Sequence, residues 1–391
     1  MFYWLWEISQ DQPGLFRLFG SPIFRTIAAL ITSLFICLLL YPWLIRKLQV
    51  KQIGQVVRND GPETHLAKRG TPTMGGVLII VAVLVSCLFW GNLRNPFVWL
   101  TLAIMLGYAV IGFLDDYWKI RDRSSGGMSE KLKLTLQFLI VGVVVAVFFG
   151  VIAPTQVPVE HCLALPKASA ICFPSLEPLY SFDVHLPFVK PSLFTIHLEG
   201  WMYAIFAALI IFATSTAVNL TDGLDGLAIG PTIVSAVTFG VLAYLTGATL
   251  FGDSLADWLL LPKVHGVDEL AVVCASIAGA GIGFLWYNTY PAQVFMGDVG
   301  ALPLGGALGA IAVFTKHEFL SIIVHGVFVV EFASVIIQRY SFRWTGKRVF
   351  AMAPLHHHFE KKGWPEARVT VRFWIISVIL ALVALASLKV R

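Results

Sequence analysis

The sequence predicts an all-α, polytopic integral membrane protein with about ten transmembrane helices. Of its 391 residues, 57% are hydrophobic and only 13% are charged, whereas a soluble domain has about 25% charged residues. The mean hydropathy of +0.78 points the same way. Because so few charges cannot cover a soluble globule of this length, we expect most of the surface to face lipid.

Ten apolar runs carry the predicted spans, since a bilayer core of about 30 Å needs about 20 apolar residues per helix. They cover roughly residues 23–45, 73–90, 97–114, 133–153, 200–220, 226–247, 269–287, 299–314, 319–338 and 371–388. An even number of spans places both termini on the same side of the membrane.

The distribution of Lys and Arg predicts the orientation. The loops after spans one, three and nine hold 19 of the 28 basic residues, and basic loops face the cytoplasm, so both termini are expected to be periplasmic. We expect one transmembrane domain, 1–391, with a long periplasmic loop at about 154–199. The predicted cytoplasmic loops are 46–72, 115–132, 219–226, 288–298 and 339–370.

The periplasmic loop contains Cys162 and Cys172. That compartment permits disulfide bonds. The two cysteines therefore either form a disulfide bridge or remain as two free thiols.

Asp115 and Asp116 end the third apolar run, and Lys119 follows one helical turn later. Adjacent carboxylates raise each other's pKa unless a cation compensates, and Mg²⁺ with a diphosphate is a common arrangement of this kind. Because charges are costly inside a bilayer, a carboxylate pair at the end of a span predicts a functional site. A solvated helix end is the alternative.

Asn219, Asp222 and Asp225 are spaced by three, which predicts one polar stripe on a helical turn. Such side chains read the edge of a base or the hydroxyls of a sugar, or ligate a hard cation. Capping of the next helix is the alternative.

The loop after the seventh run holds Asn288, Phe295 and Asp298. Glycines on either side of Asp298 allow a ligand to approach the backbone closely. Phe295 either stacks on a nucleobase or anchors the loop at the membrane interface.

His356, His357 and His358 stand together in the basic loop after the ninth run. Adjacent histidines chelate one zinc ion poorly, because a helical metal site needs i, i+4 spacing. Beside Arg and Lys they suit phosphate oxygens better. Lys68 and Thr73, in a glycine-containing helix start, form a second and weaker phosphate-binding pattern.

Glu331 and His325 are polar residues inside the ninth run, where they either line a groove or pair with another helix. Together, the polar groups predict a site for a divalent cation, phosphates and a base. This site lies where a lipid head group at the cytoplasmic membrane surface would meet a cytosolic nucleotide.

Four motifs resemble, in order, those of the polyprenyl-phosphate hexose-1-phosphate transferase superfamily. They are Asp-Asp-Tyr-Trp-Lys at 115–119, Asn-Leu-Thr-Asp-Gly-Leu-Asp-Gly at 219–226, Phe-Met-Gly-Asp at 295–298 and Ala-Pro-Leu-His-His-His at 353–358. The resemblance runs nearly end to end and is closest to the phospho-N-acetylmuramoyl-pentapeptide transferases. The His triplet separates these from relatives that transfer N-acetylglucosamine 1-phosphate. The outer segment around 155–182 is longer than the family pattern.

The resemblance implies that UDP-N-acetylmuramoyl-pentapeptide reacts with undecaprenyl phosphate to give UMP and lipid I, in the first membrane step of peptidoglycan synthesis. It implies Mg²⁺ dependence, with Asp298 as metal ligand and with Asp115 and Asp116 positioning or deprotonating the lipid phosphate. Direct attack by the lipid phosphate and a covalent intermediate on Asp298 both remain open. The implied substrate-binding residues are Lys68, Thr73, Lys119, Asn219, Asp222, Asp225, Asn288, Phe295, Gln338, His356, His357 and His358.

The resemblance further implies a multi-pass protein of the bacterial cytoplasmic (inner) membrane, with its active site facing the cytoplasm. Membrane lipids are expected partners, a homodimer is allowed, and nucleic acid is not expected. Two alternatives stay open. One is a sibling transferase that uses another UDP-N-acetylhexosamine, and the other is a secondary transporter. Transporters place their sites near the membrane midplane, whereas these carboxylates lie at the ends of spans.

Overall fold

The computed structural model describes residues 1–8, 16–50, 70–122, 126–165, 168–190, 193–250 and 253–390. The predicted phosphate-binding residue Lys68 lies outside these residues. For the segment 156–178 the structure describes the backbone alone.

Helices account for nearly all regular structure in the described part of the chain. They are α1 (Phe2–Ile8), α2 (Phe16–Gly20), α3 (Pro22–Val50), α4 (Gly76–Trp90), α5 (Pro96–Arg121), α6 (Glu130–Val147), α7 (Gly200–Thr221), α8 (Ile229–Gly247), α9 (Leu255–Trp258), α10 (Leu270–Asn288), α11 (Asp298–Phe314), α12 (Glu318–Val324), α13 (Gly326–Thr345), α14 (Leu355–Lys361) and α15 (Glu366–Val390). A short π-helical turn, Phe148–Ile152, extends α6.

Among the residues that the structure describes, seven stretches are long and apolar enough to cross a membrane: α3, α5, α6 with its extension, α7, α8, α10 with the turn before it, and α15. The pair α12 and α13 supplies an eighth if it is counted as one span, and α4 and α11 are apolar but shorter. The prediction of a helical, polytopic membrane protein is confirmed, and each of the ten apolar runs is helical. The count of ten spans and the side of the termini stay predictions.

The ninth run is not the continuous span that the sequence predicts. It breaks at His325, and α12 and α13 are bent by 86° relative to each other. Gly326 begins α13, and a Cβ atom there would lie 2.7 Å from a methyl carbon of Leu380 in α15. The glycine therefore lets α15 pass close to the break.

Helix α11 forms the centre of the bundle. Every residue from Val299 to Phe314 is buried, and the helix packs between α5 and α7. A Cβ atom on Gly305 would lie 2.7 Å from the backbone of Ser215 in α7. Small residues of this kind allow helices to approach closely in a membrane, where packing rather than water exclusion drives association. The start of α11, at Asp298, is therefore held firmly in place.

The outer segment contains most of the little sheet that is present. Strand β1 (Gln156–Leu165) pairs antiparallel with β2 (Ala168–Pro178), and this register places Cys162 opposite Cys172. Two very short pairs follow, β3 (Asp183–Val184) with β4 (Ile196–His197) and β5 (Thr249–Leu250) with β6 (Asp253–Ser254). The two alternatives for these cysteines, a disulfide bridge and two free thiols, both stay predictions.

Candidate active site

The carboxylate pair predicted at the end of the third run lies on the last turns of α5. Asp115 and Asp116 are both buried. The Nζ atom of Lys119 lies 2.6 Å from Oδ2 of Asp115 and 3.6 Å from Oδ1 of Asp116. The main-chain N–H of Met128 donates a hydrogen bond of 2.6 Å to Asp115, and that of Val299 donates one of 3.1 Å to Asp116. The pair is thus held by fixed donors rather than solvated.

Asp298, the first residue of α11, joins this pair from the opposite side. Its Oδ2 atom lies 2.8 Å from Nζ of Lys119 and 2.6 Å from Nζ of Lys133, which comes from α6. Its Oδ1 atom accepts a hydrogen bond of 2.6 Å from the amide of Asn219, at the end of α7. A carboxylate is also favoured at this position because the N-terminus of a helix carries partial positive charge.

Asp115, Asp116 and Asp298 therefore form one carboxylate centre, which two helices, α5 and α11, build. One oxygen from each carboxylate lies within 4.8 Å of the others. Carboxylate oxygens are the ligands that hard divalent cations prefer, so this donor set fits Mg²⁺. The convergence predicted for these three residues is present in the structure.

The turn before α11 brings its backbone against this centre. Gly297 has a φ of +73°, and a Cβ atom there would lie 2.5 Å from Oδ2 of Asp116 and 3.1 Å from the hydroxyl oxygen of Thr73. A side chain would be strained by this φ and would also clash with the carboxylate. The glycine thus allows Thr73, which is buried, to lie beside the carboxylate centre.

The segment 219–226 does not form the predicted stripe on one helical turn, because α7 ends at Thr221. Only Asn219 lies on the helix and faces Asp298. Asp222 follows in the turn, where burial, and then the negative charges of Asp298 and Asp116, raise its pKa to about 8. A bound cation would lower this pKa again, since it would offset those charges.

Asp225 faces the loop 288–298 instead. Its Oδ2 atom accepts a hydrogen bond of 2.9 Å from the main-chain N–H of Ala292. Asn288 completes the connection, because its amide oxygen accepts from Gly226 at 2.9 Å and its amide nitrogen donates to Val294 at 2.8 Å. These two predicted binding residues hold two loops together at the edge of the site.

Phe295 is half-buried in the same loop. Its main-chain N–H donates to the carbonyl of Pro72, and its carbonyl accepts from Gly75, each at 2.8 Å. These bonds attach the loop to the segment before α4. They hold the loop backbone against the residues on either side of Thr73.

The three histidines lie on the short helix α14, and each faces a different partner. His356 is fully buried and contacts Glu331 of α13. The Nδ1 atom of His357 lies 2.7 Å from Glu360, and Nδ1 of His358 accepts a hydrogen bond of 3.0 Å from Ala351. The three imidazoles therefore have separate partners in this structure.

Gln338 lies within α13, and its side chain binds backbone of the loop that follows this helix. Its amide oxygen accepts hydrogen bonds from Val349 at 3.0 Å and Phe350 at 2.9 Å, and its amide nitrogen donates to the carbonyl of Phe350 at 3.0 Å. In this structure it therefore shapes the loop before α14.

Comparison with known proteins decides the family. A family model described as glycosyl transferase family 4 matches residues 98–316, and a phospho-N-acetylmuramoyl-pentapeptide-transferase signature matches residues 68–80. A phospho-N-acetylmuramoyl-pentapeptide-transferase of Anaeromyxobacter sp. (strain Fw109-5) is 52% identical over 393 residues, covering 100% of both chains. One of Sorangium cellulosum is 53% identical over 94% of this chain and 93% of the relative. The chain belongs to the phospho-N-acetylmuramoyl-pentapeptide-transferase family.

The carboxylate centre of this transferase lies inside the matched regions. The family model spans Asp115, Asp116, Asn219 and Asp298, and the shorter signature includes Thr73. The resemblance identified from the motifs is thereby confirmed.

Sequence reasoning missed the role of Lys133. It counts this residue only among the basic residues that predict orientation, yet Lys133 lies 2.6 Å from Asp298 and 3.5 Å from Asp115. It also missed Glu366, at the start of α15, which accepts a hydrogen bond of 2.7 Å from the main chain of Asp225. No spacing in the sequence connects these residues with their partners, because each contact joins separate elements of the fold.

Proposed function

We propose that this transferase moves phospho-N-acetylmuramoyl-pentapeptide from its UDP-linked precursor to undecaprenyl phosphate, forming lipid I and UMP. The observation that carries the proposal is the carboxylate centre with its two lysines, in a chain of this family. The segments 219–226 and 288–298 adjoin this centre, and helix α14 faces the first of them at Gly223. Together they supply amide, carboxylate, aromatic and imidazole groups to a nucleotide-sugar substrate.

Mg²⁺ is the proposed cofactor, held by Asp298 together with Asp115 and Asp116. When bound, it would neutralise phosphate charge and act as a Lewis acid in phosphoryl transfer. Lys119 and Lys133 contribute permanent positive charge at the same place. They contact Oδ2 of Asp298 at 2.8 and 2.6 Å and so reduce repulsion among the carboxylates.

Direct attack by the lipid phosphate is the mechanism that we favour. An oxygen of that phosphate forms a bond to the phosphorus attached to the sugar, and the bond from that phosphorus to the bridging oxygen breaks, so that UMP leaves. A phosphate monoester has its second pKa near 6, so it is mostly a dianion at neutral pH and needs little help from a base. Asp115 then acts through its charge and its fixed position.

A covalent route would need an oxygen of Asp298 free to attack. Oδ1 accepts a hydrogen bond from Asn219, and Oδ2 contacts both lysines. These partners stabilise the carboxylate charge and lower its nucleophilicity. This geometry supports the direct route over the covalent one.

The first experiment is an assay of released UMP with purified protein, Mg²⁺, undecaprenyl phosphate and UDP-N-acetylmuramoyl-pentapeptide. We expect UMP only when all components are present. Replacement of the donor by UDP-N-acetylglucosamine should give none. Turnover with that donor instead would favour a sibling transferase, and absence of turnover with either, in a folded and lipid-supplied sample, would contradict the proposal and lead to transport assays.

The location proposed for the chain is the bacterial inner membrane, with the carboxylate centre facing the cytoplasm and both termini facing the periplasm. We propose that 1–391 acts as a single transmembrane domain. A homodimer stays a prediction of the resemblance. The basic loops around 46–72, 115–132 and 339–370 support this orientation.

Thiol labelling tests the orientation. The starting protein has Cys162 and Cys172 replaced by serine, and its other three cysteines are buried. One cysteine is then introduced at a time at an exposed position, by Lys347→Cys or by Leu193→Cys. A membrane-impermeant maleimide should label position 193 in intact cells and position 347 only after permeabilisation. The reverse pattern would overturn the orientation.

A second prediction compares two histidines. His357→Ala should lower turnover strongly, by about tenfold or more, because its imidazole contacts Glu360 beside the proposed nucleotide site. His265→Ala, in the loop between α9 and α10, should leave turnover close to that of the unaltered protein. Equal losses in the two variants would contradict the proposed location of the site.

A further inference from the structure

Glu331 is a buried carboxylate that lies outside the carboxylate centre. It is fully buried in α13, about one and a half turns after the break at His325. The main-chain N–H of His356 donates to its Oε1 atom at 3.0 Å, and Nδ1 of the same imidazole lies 3.1 Å from its Oε2 atom. Both carboxylate oxygens are therefore directed at a single residue of α14.

This contact determines where the imidazole carries its proton. A carboxylate oxygen accepts hydrogen bonds, so this contact favours the tautomer of His356 that is protonated at Nδ1. In the neutral ring, Nε2 is then an acceptor. Fixing one nitrogen of a histidine in this way sets both its tautomer and its ring orientation.

The free nitrogen faces the turn that follows α7. Nε2 of His356 is buried and has no hydrogen-bond partner among the residues that the structure describes. A Cβ atom on Gly223 would lie under 3.0 Å from it, so the glycine is what permits the ring to contact this turn. The neighbour of Gly223 is Asp222, whose pKa is raised first by burial and then by the charges of the carboxylate centre.

We propose that Glu331 is a positioning residue for His356. It stabilises the Nδ1–H tautomer and holds the ring against the 222–223 turn. Nε2 is then unprotonated and can accept a hydrogen bond from an N–H or O–H group of the bound nucleotide. The nucleotide part of this proposal rests on the proposed function. The tautomer part does not, because it follows from the contacts of Glu331 alone.

The substitution Glu331→Gln tests the tautomer directly. The glutamine oxygen can still accept the main-chain N–H of His356, but its amide group donates and so makes Nδ1 an acceptor. In protein labelled with ¹⁵N-histidine, and with His356 assigned by comparison with His356→Gln, the proton should move from Nδ1 to Nε2. Unchanged ¹⁵N signals in Glu331→Gln would overturn the proposal whether or not the protein is a transferase.

Addition of UMP to the unaltered protein tests the ligand. The Nε2 signal of His356 should move as UMP binds, and it should not move in Glu331→Gln. Binding of UMP, measured independently by calorimetry, with no change at Nε2 would overturn the nucleotide part of the proposal.

Turnover supplies a double-mutant test. Glu331→Gln should lower kcat by about 10- to 100-fold, which is the size of effect seen when a group that orients a functional histidine is removed. The variant Glu331→Gln/His356→Ala should be no slower than His356→Ala, since the two residues act as one unit. Additive losses would overturn the proposal. Ser334→Ala is the matched control, because its buried hydroxyl on the same helix donates only to the Glu331 carbonyl.

Discussion

Asp298→Asn is expected to abolish turnover while leaving the fold intact. The asparagine keeps the size of the side chain and can still accept the hydrogen bond from Asn219, which is 2.6 Å in length. It loses the negative charge that Lys119 and Lys133 now contact and that a divalent cation requires. A loss of several kcal/mol of transition-state stabilisation corresponds to a rate reduction of about 10³-fold or more.

The measurement is the initial rate of UMP release as a function of Mg²⁺ concentration. Binding of Mn²⁺, followed by electron paramagnetic resonance, separates loss of the metal from loss of chemistry. Asp257→Asn serves as the control, because Asp257 is exposed and lies far along the chain from the carboxylate centre. Near-normal, Mg²⁺-dependent turnover of Asp298→Asn would rule out Asp298 as a metal ligand.

The helices and the main site could be predicted because both depend on local sequence. A run of about 20 apolar residues folds as a helix in lipid whatever its neighbours are, since its backbone must satisfy its own hydrogen bonds. Charged residues at the ends of such runs then emerge at a membrane surface. This argument alone predicts that Asp115 and Asp298 belong to one site.

The remaining features depend on contacts between segments that are distant in sequence. Lys133 reaches Asp298 from a neighbouring helix, and Glu331 reaches His356 across 25 positions of chain. Their partners are set by how helices pack, and that information is not present in residue spacing. The end of α7 at Thr221 has a similar origin, because the turn that follows is held by Asn288 and Glu366 from other elements.

The close approach of α5 and α11 leads to a prediction for Gly112→Ala, which is expected to lower both stability and turnover. A Cβ atom on Gly112 would lie under 3.0 Å from the carbonyl oxygen of Asp298, a separation that real Cβ atoms essentially never show. The obstacle is backbone, so no side chain can move aside. The two helices must separate, and they carry Asp115 and Asp298, which form the carboxylate centre.

The expected change in stability for Gly112→Ala is opposite in sign to that for a glycine-to-alanine substitution in an ordinary helix. Replacing such a glycine by alanine normally stabilises a helix by about 1 kcal/mol, whereas overpacking costs about 1–3 kcal/mol. Gly142→Ala in α6 provides the matched control, because nothing lies within 4 Å of its added Cβ atom. We expect Gly142→Ala to unfold at the same temperature as the unaltered protein or higher, with normal turnover.

Gly112→Ala should unfold at a lower temperature in detergent, and the fraction that remains folded should turn over about 10²-fold more slowly. A displacement of about 1 Å between groups that act on one phosphate is enough for a loss of that size. The slow turnover matters more than the lower stability, because it shows that the distance between the carboxylates, rather than their presence, limits the reaction. If Gly112→Ala were as stable and as active as Gly142→Ala, α5 and α11 could not be in contact at Asp298, and the carboxylate centre would not exist as described.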